Sequence, residues 1–591
     1  MLHKYAMGII GNNSWLALIN DTGNVSWLCW PQFDSSFLFG NLLDKDNGGD
    51  FKIITKEEIS SSNQSYIKDT NILETTISTK NGTFKISDFA PIYYRGNNLY
   101  RPHIFIRKIS PLSGTNFIKI NCSPTNQYGS QYYKSNIIKD YILFQQENDC
   151  KYLYCSKKDI IYQSDEFYYL EKSTYILFSD RPLEVNDLEY FGEENYTKTI
   201  EYWNTWVNEL NLPKNYRDEM VRSALTLQLH VFITGATIAA ATTSLPEFIS
   251  STRNWDYRFC WMRDSYYTLL AFEKIGNKEV LLNYIKYISQ IDSKYIDRWP
   301  PLHPISLDRE PIEQEISLAG YLNEKPVRIG NQAFEHIQND IYGQVITTLL
   351  PFFTNELISI TDRQKYLPII SKLVKKIEET MEDPDNGLWE FRGLKQFHCY
   401  TYLFHWAGCK SAIKIATIFN DPILHDLASK NIPKAISKIE SCYDKETGLY
   451  FQAAGNKNLD ASLLQLITMH YLEPENPKAK RLLTALEKNL STENGLFYRY
   501  LHEDDFGKPD VTFLICAFWY IEALAVMGQR DKARSNINLV LKYGNHLNLF
   551  SEDVHAKSGS QWGNFPQTYS HAGLIQAVNA IENENYLPPY L

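Results

Sequence analysis

Two glutamates sit in apolar collars. Glu390 lies in Leu388-Trp389-Glu390-Phe391, and Glu552 closes Leu549-Phe550-Ser551-Glu552. A third segment, Asn254-Trp255-Asp256-Tyr257-Arg258-Phe259-Cys260-Trp261-Met262-Arg263-Asp264, combines four aromatic rings with Arg/Asp pairs. Aromatic faces suit the apolar faces of pyranose rings. An adjacent arginine and aspartate, such as Arg263 and Asp264, can grip neighbouring hydroxyls as donor and acceptor. Two carboxyl groups are the usual equipment for cutting a glycosidic bond, one protonating the leaving oxygen and one acting on the opposite face. The chemistry these residue types could perform is acid–base cleavage beside a bound sugar.

Each segment also has a plainer reading. Arg263-Asp264 precedes the helical run Ser265-Tyr266-Tyr267-Thr268-Leu269-Leu270, where Asp264 could be an N-cap and Arg263 its surface partner. Against that, Trp255, Tyr257, Phe259 and Trp261 cannot all be exposed cheaply. Glu390 follows the turn Asp383-Pro384-Asp385-Asn386-Gly387. Its apolar flanks favour the protonated form, as a general acid requires, and Arg392 opposes this if it reaches the carboxylate. Glu552 and Asp553 could be first-turn acids of a helix. The loop from Ser558 to His571, punctuated by Gly559, Gly563 and Pro566, could serve packing alone.

Carboxylates so far apart in the chain meet only through the fold. Up to about residue 190 the pattern alternates with period two, as in Thr83–Ser87, His103–Ile109 and Phe117–Asn121, with turn residues between. This predicts an N-terminal antiparallel β-sandwich over 1–195. A linking helix is expected over 196–215, closed by Asn211-Leu212-Pro213. From 216 to 591 about twelve helical segments alternate in character. Thr512–Ala525 is apolar nearly all round, whereas Lys365–Lys376 carries a lysine-rich face. Inner helices followed by outer ones describe an all-α (α/α)6 barrel. A helical solenoid is the alternative, but no fixed repeat period is present.

The bulk properties narrow the partners. A chain of 591 residues exceeds one core. A net charge of −10 without long charged blocks argues against nucleic acid or an anionic membrane as partner. The 40 tyrosines suit a wet, sugar-lined cleft as well as a core. The nine scattered cysteines show no metal-binding spacing, which predicts free thiols in a reducing compartment. Neither a cleavable signal nor a membrane-spanning run of 18 apolar residues is present, so a cytoplasmic location is the default expectation, with signal-independent export compatible.

As an ordered set, these motifs resemble glycoside hydrolase family 15, which comprises glucoamylases, glucodextranases and certain microbial trehalases. Ile9–Asn13 and Val25–Pro31 resemble the opening of the β-sandwich in its bacterial and archaeal branch. Arg253–Arg258, Pro326–Asn331, Gly387–Glu390 and Gly563–Gln567 resemble its barrel segments. The resemblance implies that Glu390 is the general acid and Glu552 the water-activating base. It implies that Arg263 and Asp264 bind the non-reducing-end glucose and that Trp261, Leu388 and Trp389 contact it. Arg499 matches the subsite arginine, Tyr569 stands where a sugar-contacting tryptophan occurs, and Arg328 is placed near the cleft. Typical glucoamylases follow the acid with a second glutamate; here Phe391 stands there, as an apolar residue does in the trehalase-like branch. The implied activity is that of an inverting, exo-acting α-glucosidase releasing β-glucose from glucans such as starch or glycogen. Trehalase is the alternative, and a carbohydrate-binding protein without activity a further one. No cofactor or metal is implied, and the expected partner is an α-glucan or small sugar. Inversion needs the carboxyl groups about 6.5–9.5 Å apart.

Overall fold

The computed structural model describes residues 2–157, 166–356 and 358–591. The first part is the expected β-sandwich. Residues Met7–Gly11, Leu16–Asn20, Val25–Cys29 and Phe37–Phe39 form a four-stranded meander. An eight-stranded sheet runs from Lys134–Ile138 at one edge to Ile59–Tyr66 at the other, with Ile104–Gly114 and Gly82–Phe89 in its middle. A three-stranded sheet pairs Phe117–Ser123 with Asp50–Thr55 and Tyr168–Tyr169. The period-two pattern works as expected: Phe84 and Ile86 of one strand and Ile118 and Ile120 of another point into the core. Residues 158–165, also predicted to lie in the sandwich, fall outside the described residues.

The linking helix spans Leu188–Asn208 and so starts ten residues before the Lys198–Trp206 run that marks it in the sequence. Asp187 caps it through a 3.0 Å bond from the Tyr190 N–H. Gly192, inside the helix, hides the pattern, because glycine costs about 1 kcal/mol in a helix interior. Tertiary packing explains it: a Cβ there would stand 2.3 Å from the Tyr175 ring.

The helical part closes into a ring. Met262–Lys274 packs on Asp340–Thr354, and that on Cys399–Phe419. The ring continues through the short helical segments Ala461–Leu464 and Gln465–Thr468, then Leu514–Val526, then Thr568–Glu582, which returns to Met262–Lys274. Outside it lie Glu279–Lys294, Leu367–Glu379, Ile432–Ser441, Pro477–Leu490 and Arg530–Val540, each burying one stripe. Arg217–Leu229 occupies an outer position yet is buried nearly all round, because the β-sandwich covers it. Asn71 and Asn13 donate to the carbonyls of Leu225 and Gln228, and Arg222 donates to the Thr70 carbonyl. The architecture is a β-sandwich joined to an (α/α)6 barrel.

All nine cysteines are free thiols. Among the described residues, no helix is long and apolar enough to cross a membrane.

Candidate active site

The chain segments that lead into the inner helices carry the candidate residues. Arg263 and Asp264 stand in the first turn of Met262–Lys274, and Tyr569 in the first turn of Thr568–Glu582. Glu390, Arg499 and Glu552 lie on the connections before Cys399, Leu514 and Thr568. A rigid ring therefore presents them from loops at one rim.

Two connected chambers open there. The inner one is lined by Arg263, Asp264, Leu388, Trp261, Glu552 and Tyr569 among others. The outer one is lined by Arg253, Trp255, His336, Arg392, Asp504 and Phe506 among others. Tyr257, Trp389, Glu390 and Arg499 belong to both and mark the junction.

Glu390 is held from one side by donors only. Its Oε1 accepts from Trp261 Nε1 at 2.9 Å, Arg263 Nη2 at 3.3 Å and Gln338 Nε2 at 3.3 Å. The side chain is 24% exposed, open to the junction. Its backbone adopts φ 62°, a strained conformation for a residue with a Cβ. The turn that imposes it is locked by Asn386, whose side-chain amide donates to the Phe391 carbonyl at 2.6 Å. Burial raises the Glu390 pKa, but Arg263, His336 and the Trp261 and Gln338 hydrogen bonds outweigh it, and the net shift is downward. The cation responsible is Arg263, not Arg392. Arg392 turns away to Gln332 at 2.7 Å and Glu313 at 3.2 Å, and stacks on Trp255 at 4.4 Å.

Glu552 has the opposite environment. It is 2% exposed and accepts from the Tyr257 hydroxyl at 2.7 Å. Burial and the neighbouring Glu247 push its pKa up to about 8, against the pull of Tyr257, Arg499 and the Asn564 N–H. Oxygens of Glu247, Glu552 and Asp553 lie within 4.8 Å of one another, the one grouping among the described residues with spacing suited to a cation. Guanidinium groups already serve it: Arg499 Nη2 stands 3.0 Å from Glu247 and Arg253 Nε 3.8 Å from it.

Several buried polar atoms of the inner chamber lack a hydrogen-bond partner among the described residues: Asp264 Oδ2, Tyr569 Oη and Arg499 Nε. Buried polar groups are normally satisfied, so these are places for a ligand's hydroxyls. Burial pushes the Asp264 carboxyl up to about 6, with Arg263 opposing and Glu390 adding to the rise. Trp389 donates its indole N–H to Asp460 at 2.7 Å, which fixes the ring at the junction.

Not every candidate faces the chambers. Arg328 stands behind Trp255, its guanidinium 4.5 Å from that ring and bonded to the Thr252 carbonyl at 2.8 Å and to Glu315 at 3.1 Å. Asp256 and Arg258, in the aromatic cluster read as sugar-holding, form a fully buried pair at 2.6 Å. Arg258 also donates to the Ser35 carbonyl at 2.8 Å, so the pair ties barrel to sandwich. Phe391 packs against Tyr500 and His398 at the outer chamber wall. Sequence reasoning missed Glu247, Gln338, His336 and Asp460. The neutral Gln338 and the flank of Glu247, Leu245-Pro246, carry no local signature; only the fold brings them to the carboxylates.

A two-chambered, carboxylate-bearing cleft at the rim of an (α/α)6 barrel has the equipment that glycoside hydrolysis requires. The family model "Glycosyl hydrolases family 15" matches residues 214–540, and "Trehalase-like, N-terminal" matches residues 4–165. The chain belongs to glycosyl hydrolase family 15. A trehalase of Thermoplasma volcanium is 32% identical over 97% of this chain and 93% of its own length. A trehalase of Mycobacterium tuberculosis is 28% identical over 95% of this chain and 87% of its own. Trehalase 1 of Sulfolobus acidocaldarius is 28% identical over 98% and 99%. In structure, a bacterial glucoamylase complexed with acarbose aligns with TM-score 0.72 at 15% identity, covering 100% of this chain and 96% of that one. That likeness is one of fold.

Proposed function

We propose that this hydrolase is a trehalase that cleaves the α,α-1,1 bond with inversion at one glucosyl C1. The observation that carries the reading is the similarity to trehalases over nearly the whole chain, 32% identity across 97% of it in one case. It reverses the order expected from the sequence motifs, in which glucan exo-hydrolysis stood first. The site agrees with a disaccharide: two chambers meet at Glu390, and Phe391 stands where typical glucoamylases carry a second glutamate.

In this reading one glucosyl ring fills the inner chamber, gripped by Arg263 and Asp264 and contacted by Trp261, Leu388, Trp389 and Tyr569. The other fills the outer chamber, with Arg499 at the junction. Protonated Glu390 gives its proton to the interglycosidic oxygen as the C1–O bond breaks and its electron pair passes to that oxygen. Glu552 takes a proton from a water whose oxygen bonds to C1 from the opposite face. Each proton transfer contributes about 10²–10⁴-fold. Stabilisation of the oxocarbenium-like state by the fixed charges around it supplies the larger remainder.

Incubation with trehalose, maltose, isomaltose and glycogen side by side tests the substrate. Trehalose turnover far above the others is expected, with equal amounts of α- and β-glucose at early times, read by NMR. Preferred turnover of maltose or glycogen over trehalose, with β-glucose as the first product released from glycogen, overturns the trehalase reading in favour of a glucoamylase.

A further inference from the structure

Glu247 has no place in the scheme above, yet it joins two guanidinium groups beside Glu552. It follows Leu245-Pro246 on the connection leading to Cys260, and it is 3% exposed. It lines the outer chamber, while its carboxylate reaches back to the group that closes the inner one. Its Oε2 accepts from Arg499 Nη2 at 3.0 Å and lies 3.8 Å from Arg253 Nε. Arg253 in turn pairs with Asp504, which Tyr500 also contacts through its hydroxyl. Glu247 is thus the centre of a buried chain of charges that starts at Glu552 and ends in the outer chamber wall.

Two such carboxylates within 4.8 Å of each other, both out of water, cannot both be ionised cheaply. The arginines decide which one is. Both guanidinium contacts fall on Glu247, whereas Glu552 receives a neutral phenol from Tyr257. The charge belongs on Glu247 and the proton on Glu552. Glu390 shows the converse, with three donors on one oxygen, one of them a guanidinium.

We propose that Glu247 is a positioning residue for the water-activating carboxylate: it anchors Arg499 at the junction, and its negative charge makes Glu552 hold the single proton that the two catalytic carboxyls share in the free enzyme. The proposal rests on the assignment of Glu390 and Glu552 made above. Other charged or titratable groups face Glu552 as well, namely Tyr257, Asp553, Arg499 and Tyr5. Asp553 is buried as well, and burial, Glu552 and Glu247 raise its pKa against Arg499 and Arg253. Catalysis needs one proton on the pair, sitting on Glu390. The resting pair holds it on Glu552, and the reactive arrangement is the minor tautomer. Activity is lost at alkaline pH when Glu552 releases that proton.

The test is the pH profile of kcat/KM on trehalose for the wild type, Glu247→Gln and Glu247→Asp. The glutamine keeps an acceptor for Arg499 and deletes the charge. Glu552 then releases its proton at lower pH, and the alkaline limb should move down by about one unit or more, whatever the plateau loses through Arg499. Glu247→Asp draws the charge back by one methylene and should move the limb in the same sense by less. A folded Glu247→Gln, or Glu247→Asp if glutamine prevents folding, whose limb overlies the wild type overturns the proposal, even where the plateau falls. That result leaves the roles of Glu390 and Glu552 standing. Those fail separately, if Glu552→Gln retains normal turnover.

Discussion

The Tyr257 hydroxyl donates to Glu552 at 2.7 Å, and the Tyr257 ring meets Trp261 edge to face at 5.5 Å, while Trp261 donates its indole N–H to Glu390 at 2.9 Å. Two residues of one segment, Tyr257 and Trp261, therefore frame both carboxylates. Two packed rings thus link Glu390 and Glu552 beside the loops that carry them.

Glu390→Gln keeps the acceptor for Trp261 and cannot supply a proton. Glu552→Gln cannot accept one. Each is expected to lower kcat on trehalose by at least about 10²–10⁴-fold, with an unchanged thermal melt. Steady-state kinetics beside calorimetry checks both; near-normal turnover in either variant would falsify its catalytic assignment.

The pH profile follows from the two carboxyl environments. Arg263 and its companions hold Glu390 below the ordinary glutamate range, and burial with Glu247 pushes Glu552 up to about 8. The pair keeps one proton between those limits. The kcat/KM of the free enzyme should stay flat down to below the usual glutamate range and fall above about pH 8. A profile that peaks sharply near pH 5 contradicts this ordering.

Gly563 carries a steric requirement of Glu552. It has φ 73°, and a Cβ there would stand 2.6 Å from both Cβ and Oε2 of Glu552. The Tyr5 hydroxyl, from the segment before the first strand, braces the same glycine by donating to its carbonyl at 2.9 Å. Gly563→Ala should displace Glu552 and cost about 10²-fold in kcat, the scale of a 1 Å misplacement. Wild-type kinetics in a folded Gly563→Ala would remove the requirement.

Glu522, on the inner helix Leu514–Val526, is buried far from the chambers and accepts from the Tyr586 hydroxyl at 2.8 Å. Burial pushes its carboxyl up to about 7, with Tyr586 and Lys274 opposing. The unfolded chain ionises this group near the ordinary value of 4.5, so between 4.5 and about 7 only the folded state holds the proton. Stability from this group therefore falls as pH rises through that window and levels off above it. Glu522→Gln lacks the effect. The stability gap in favour of the variant should widen with pH to the order of 3 kcal/mol. Denaturant titrations at pH 4.5 and 8 measure it, and a constant gap contradicts the assignment.

Period-two alternation made the sandwich legible, and the contrast of all-apolar with one-sided helices made the barrel legible, because both patterns record which faces leave water. Glu390 and Glu552 were legible because each sits among large apolar side chains that a solvated glutamate does not need. Their electrostatics were not. The apolar collar of Glu390 argued for a raised pKa, yet a guanidinium from the helix Met262–Lys274 reverses the sign, and the nearer arginine in sequence, Arg392, points elsewhere. Asp256 and Arg258 read like Arg263 and Asp264 in the chain; only packing sends one pair into the sandwich contact and the other into the cleft. Glu247 carried no local mark at all. Residue types and spacing determine which groups are available and which faces are buried. Coulomb interaction and desolvation depend on distances through space, so the charge each group bears is decided only when the barrel closes.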